Sequence, residues 1–202
     1  MSDQFFEQLK HPNPHLREQA MVGIVENRDE TTIPRLMAAL DEPDTTYRRA
    51  AVKTLGLVGV DTVPGLVEAL LKSENVTVRG SAAKALAQIA LNYPDQPFPE
   101  AGLEGLRQSL NDANPVVHIA SAMALGEIGE SAFDILLESL KTTDNIALQV
   151  SVVNALASVG GEKAAVVLKE VSEDESLEGY VKETATSALS RLEFVKNNTW
   201  NG

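Results

Sequence analysis

The chain has 202 residues, 44% apolar and 23% charged, which is ordinary for a folded domain and excludes wholesale disorder. Only 4% are aromatic, too little for a typical sandwich or barrel, so the apolar mass must come from Ala, Leu and Val in closely spaced helices. With 17 Lys and Arg against 29 Asp and Glu, the net charge of −12 disfavours nucleic acid, and the absence of cysteine removes disulfides, a thiol nucleophile and thiolate metal sites.

From the start, Met1-Ser2-Asp3-Gln4 lacks the basic and apolar regions of a signal peptide. The longest uncharged stretch, Asn145 to Gly161, contains Gln149, Ser151 and Asn154 and is shorter than the ~20 apolar residues that span a membrane. No membrane insertion and a cytoplasmic location are the expectation. Along the chain the pattern repeats. Leu9, Leu40 and Leu71 stand 31 residues apart and continue as Leu110, Leu140 and Val171, with one step of 39. Leu16, Tyr47, Val78, Val117, Leu148 and Val181 form a second column, and Ile24, Leu55, Leu86, Leu125, Leu156 and Leu189 a third. Ala20, Ala51, Ala82, Ser121, Val152 and Ala185 run beside them, small where two helices must approach. A period in this range is the mark of a repeat architecture.

Each copy predicts a short helix A, a turn and a longer helix B, with copies at about 3–28, 30–60, 61–91, 100–130, 131–161 and 162–193. Thr32 is expected to cap helix A of the second copy, and Pro34 fits its first turn, where a missing donor costs nothing. Asn13, Asp44, Asn75, Asn114 and Asn145 are expected to cap the B helices, and Gly59, Gly129 and Gly160 to end three of them. The sixth copy has Glu178 at the turn position. A unit of this size cannot bury enough surface alone, so the copies must stack. The fold class is all-α: one domain, an α-solenoid of about six helical hairpins. The 39-residue step places an insertion at 91–100, where three prolines forbid a helix. Its Tyr93 and Phe98 either seal a core edge or contact a partner. The segment 194–202, including Trp200, is expected to be a mobile tail.

The stretches Asp44 to Gly56 and Val76 to Leu86 resemble HEAT repeats, more narrowly those of cyanobacterial phycobilisome lyase proteins, over roughly residues 5–193. That group contains bilin lyase subunits, chaperone-like helpers, a phycobilisome-degradation factor and a HEAT protein that interacts with iron–sulfur carriers. The short six-unit form resembles the helper or interaction members more than the longer lyase subunit. The resemblance therefore implies a non-catalytic scaffold or assembly chaperone. Its client would be a phycobiliprotein, a lyase partner or an iron–sulfur carrier. The alternative is a bilin lyase subunit working in a heterodimer, with phycobilin as the group transferred and the accepting cysteine on the other protein. No cofactor is expected otherwise.

No catalytic residue is recognisable. His11 and His15 have the spacing of helical metal ligands, but Pro12 and Pro14 break the helix, so no metal site is expected; His118 completes the histidines. In stacks of this type the B helices line the concave face, where Arg17, Arg48, Arg79, His118, Gln149 and Lys182 follow the second column. Arg48 and Arg79 are expected to form a ladder with the turn acid or carbonyl of a neighbouring copy, Asp44 being the partner suggested. Beyond them, Arg49, Lys53 and Lys84 add exposed positive charge, while Met123 and Asn154, with Ile119 and Val150, make the later copies more apolar. The candidate partner-binding residues are thus Arg48, Arg49, Lys53, Arg79, Lys84, Met123, Asn154, Tyr93 and Phe98.

Overall fold

The computed structural model describes residues 2–198, with side chains described from Asp3 to Phe194. Those residues form helical hairpins and no strand. In order the pairs are α1 (Ser2–Gln8) with α2 (Pro14–Glu26), α3 (Thr32–Ala38) with α4 (Thr45–Val58), and α5 (Val63–Lys72) with α6 (Val76–Asn92). They continue as α7 (Glu100–Ser109) with α8 (Pro115–Ile128), α9 (Phe133–Thr142) with α10 (Ile146–Val159), and α11 (Gly161–Glu173) with α12 (Gly179–Asn198). The fold is the all-α solenoid class that the columns imply. Helix α12 carries on through Asn198, so the stretch expected as tail is helical as far as that residue; 199–202, Trp200 among them, lie outside the described residues.

Two compact units divide between Ser109 and Leu110, inside the fourth copy. In the first, the B helices α2, α4 and α6 pack in succession, with α3 on α4 and α5 on both α6 and α7. In the second, α8, α10 and α12 pack in succession, with α9 on α10 and α11 on α12. Each core lies between its A and B layers. The small-residue column is fully buried at Ala20, Ala51, Ala82, Ser121, Val152 and Ala185, and the third column at Leu55, Leu86, Leu125 and Leu156. Burying one such leucine stabilises by about 1.5–3 kcal/mol, so neighbouring copies supply what one hairpin lacks.

The turn chemistry follows the sequence in all but one copy. The side chains of Asn13, Asp44, Asn75, Asn114 and Asn145 accept from amides in the first turns of α2, α4, α6, α8 and α10 at 2.7–3.2 Å. Each satisfies a donor that the helix itself leaves free. At α12, Glu178 contributes only its backbone carbonyl, which accepts from Val181 N. Gly59, Gly129 and Gly160 end α4, α8 and α10 at φ of 88°, 86° and 70°, a conformation that residues with a Cβ avoid.

Two expectations about the A helices need correction. Thr32 is not a cap: it is the buried first residue of α3, and its hydroxyl accepts from Asp29 N at 2.9 Å while the N-cap position falls to Thr31. Thr62 likewise turns its hydroxyl back to the Gly59 carbonyl at 2.8 Å. In both copies the threonine is buried, so its polar atom is spent on the incoming chain. The first column also slips by one in the third copy, where Leu70 is buried at 1% exposure and Leu71 stands at 38%.

Candidate partner-binding site

The clamp column comes first, because it decides which cations are left over. Arg48 donates from Nη1 to the carbonyls of Glu42, at 2.5 Å, and Pro43; Arg79 donates to Ser73 O at 2.9 Å and Glu74 O at 3.2 Å. Arg17 repeats the pattern on His11 O and Pro12 O, and the neutral Gln149 does so on Thr143 O. Arg17, Arg48, Arg79 and Gln149 thus each clamp carbonyls of their own copy. The physical reason is local: the end of helix A presents carbonyls without helical donors, and they lie five and six residues before the arginine. Asp44 is engaged as the α4 cap instead. Position 118 is different: His118 is buried at 4% exposure, and its Nε2 has no partner among the described residues.

Most other cations are neutralised on the surface, in pairs such as Arg28–Asp61, Arg35–Asp3, Lys72–Glu68, Arg107–Glu104 and Lys163–Glu130. Arg49, Lys53 and Lys84 differ. They are exposed, they sit on α4 and α6 of the first unit, and they make no hydrogen bond or ion pair among the described residues. One turn separates Arg49 from Lys53 on α4, so both side chains leave the same face. Both line a hollow of about 260 Å³ between α2 and α4, whose walls include Met21 and a single acid, Glu18. In a chain of −12, three unpaired cations thus stand on the B helices of the first unit.

The remaining candidates separate into two kinds. Met123 is 60% exposed on α8, and Val116, about two turns earlier on that helix, is 54% exposed. Tyr180, at 66%, stands in the first turn of α12, the B-layer helix beyond α10. Sequence reasoning missed Val116 and Tyr180, although both continue the exposed position held by Thr46 and Thr77; following that column would have found them. Asn154 is exposed, with both ends of its amide bonded at the surface: its Oδ1 accepts from Arg191 Nη2 at 3.0 Å and its Nδ2 donates to Val150 O. Tyr93 and Phe98 turn inward. Tyr93 Oη donates to Leu57 O at 2.6 Å with its ring over Gly59, and the Phe98 ring lies over Gly102.

Among the described residues no group of His, Asp and Glu is placed to hold a metal ion. No single helix among them is long and apolar enough to cross a membrane. What the arrangement offers is surface for recognition: the unpaired cations Arg49, Lys53 and Lys84 on the first unit, and exposed apolar side chains, among them Met123, Val116 and Tyr180, on the second.

A family model described as HEAT repeats matches residues 2–87 and 103–190, and the chain belongs to that family. It is 59% identical over 191 residues to a protein of Pseudanabaena tenuis called "Uncharacterized phycocyanin operon protein Z", with 95% of each chain covered. Identity to the bilin biosynthesis protein CpeZ of Synechococcus sp. is 33% over 185 residues, covering 89% of this chain and 99% of that one. Among solved structures, the complex of CpcE and CpcF of phycocyanin lyase from Nostoc sp. shares the fold. That match has a TM-score of 0.51 at 20% identity and covers 76% of this chain and 96% of the other.

Proposed function

We propose that this chain is a protein-binding helper in the maturation of phycobilin-carrying proteins. It holds a client protein by an acidic edge against Arg49, Lys53 and Lys84. The observation that carries the reading is that these cations are exposed and unpartnered on the B helices of the first unit in an otherwise acidic chain. Opposite charges across an interface steer encounter and fix register, and a compact cluster acts locally within a Debye length of ~8 Å at physiological salt. Val116, Met123 and Tyr180 supply apolar contact on the second unit. A phycobiliprotein as client is supported by the names of the relatives, a phycocyanin operon protein and a bilin biosynthesis protein. An iron–sulfur carrier as client finds no counterpart among them.

A second reading is a lyase subunit that attaches phycobilin, as substrate, in a heterodimer with a longer HEAT partner. It is favoured by the bilin biosynthesis role named for CpeZ. Co-expression with an apo-phycobiliprotein, a phycobilin-producing pathway and the candidate partner separates the two. Covalent colour that requires this chain, and forms with it at substoichiometric amounts, supports the lyase subunit. Colour that forms without it, at lower yield of folded client, supports the helper; colour and yield both unchanged by its omission contradict both.

A further inference from the structure

The edge of the second unit made by the turns 143–145 and 174–178 is built differently from its counterpart in the first. There the α6 cap Asn75 donates its side-chain amide to the Asp41 carboxylate and closes the step between two copies. In the second unit Lys141 stands at the position of Asp41 and Glu178 at that of Asn75, and a carboxylate has no proton to give. The turn before α12 is also longer by three residues, counting Val171 to Glu178 against Leu40 to Asp44. It folds on itself, since Asp174 accepts from the Ser176 amide at 2.8 Å and the Ser176 hydroxyl at 2.6 Å. These two bonds hold the Asp174 carboxyl below its ordinary pKa.

The result is an open groove of about 580 Å³ between α9, α11 and the two turns. Its floor is apolar: Leu140 and Val171 are buried, Leu137 and Leu177 half-buried, and Ile146 is 44% exposed. On the rim, Asp144, Glu170 and Glu178 are exposed and have no side-chain partner among the described residues, against one cation, Lys141. The volume lies in the range of pockets that bury whole ligand groups. An apolar floor alone would accept any hydrophobic side chain; three unpaired carboxylates around it select against acidic neighbours and for basic ones.

We propose that this groove docks a basic segment of a partner protein. An aliphatic or aromatic side chain rests on Leu137, Ile146 and Leu177, and flanking Lys or Arg residues face Asp144, Glu170 and Glu178. The surface shares no residue with the Arg49–Lys53–Lys84 face and selects the opposite charge.

The test uses the full chain and a fluorescein-labelled peptide of about twelve residues alternating leucine and lysine, with a leucine–glutamate peptide as comparison. Anisotropy is expected to show saturable, salt-sensitive binding of the lysine peptide only. The double variant Glu170→Lys, Glu178→Lys should weaken it about ten-fold or more, while the charge-matched control Glu26→Lys, Glu127→Lys should change it less than about two-fold. Equal loss in both variants would show that net charge and not the groove is responsible, and overturns the proposal. Equal binding of the glutamate peptide overturns it too. A wild-type measurement guards against a misfolded variant: the lysine peptide must shift the methyl resonances of Leu137, Ile146 and Leu177, and shifts confined to methyls outside the groove overturn the assignment.

Discussion

Gly56→Ala tests how closely the B helices are packed in the first unit. In an open helix the exchange would stabilise by ~1 kcal/mol, because glycine carries the larger backbone entropy. At position 56, however, an added Cβ would lie 2.3 Å from Gln88 Cβ and 3.1 Å from the Gln88 carbonyl carbon. Neither atom can rotate away, so α4 and α6 must separate. Overpacking of this kind costs about 1–3 kcal/mol, and with no flexible tip to yield, the upper part of that range applies. The net loss should be about 1–2 kcal/mol. For a chain of this length that lowers the melting midpoint by about 2–8 °C, read by far-UV circular dichroism. Gly65→Ala is the internal control: the nearest atom to its added Cβ is Met37 Cε at 3.8 Å, an ordinary contact. It should hold or raise the midpoint by up to the helix-propensity gain. Equal behaviour of the two variants would refute the close approach of α4 and α6.

Other expectations follow from single contacts. Arg48→Met removes the clamp on Glu42 and Pro43 carbonyls and should cost about 0.5–1.5 kcal/mol in a denaturant melt, with client affinity retained. Tyr93→Phe removes only the bond to Leu57 O and should cost a similar ~1 kcal/mol, whereas replacing 94–99 by a Gly/Ser link also strips the Phe98 ring from Gly102 and should lower the midpoint further; a neutral loop exchange would return Tyr93 and Phe98 to the list of partner contacts. Glu104, bonded first by Arg107 and then by Gln108, has its pKa pulled from an ordinary 4.5 down to about 2. Because the folded value is the lower one, its contribution to stability is present above pH 4.5 and is lost as pH falls towards 2; carboxyl NMR titration should show Arg107→Ala raising the value, with the Gln108 bond still holding it below the ordinary one.

The fold was legible because a buried stripe with a 31-residue repeat leaves its trace in apolar identity alone, as at Leu55, Leu86, Leu125 and Leu156. Caps were legible for the same reason: Asn and Asp side chains act on amides two or three residues ahead. Threonine was misread because its hydroxyl serves equally as cap or back-bond, and Thr32 and Thr62 take the second role once buried. The arginine column was placed on the correct residues, but spacing alone did not show that carbonyls of the same copy are among its acceptors. At the site, exposure of Arg49, Lys53 and Lys84 followed from helical phase. That they stand without partners did not, since the carboxylates that neutralise Arg28 and Arg35 come from distant positions, Asp61 and Asp3. The groove around Glu170 and Glu178 was hidden for a related reason: an unusual turn residue was visible at 178, but the space it opens depends on α9 and α11 together.

The central claim is that the unpaired cations of α4 and α6 hold the client. The direct measurement is calorimetric affinity for the apo-phycobiliprotein proposed as client, with wild type and the triple variant Arg49→Glu, Lys53→Glu, Lys84→Glu, at low and moderate salt. Each exchange is on an exposed, unpartnered side chain, so the thermal melt should move by no more than ~0.5 kcal/mol per site. Affinity should fall by two orders of magnitude or more, since like charges across an interface cost several kcal/mol, and added salt should weaken the wild type in the same direction. A triple variant that melts like the wild type and binds the client with unchanged affinity and salt dependence would contradict the claim.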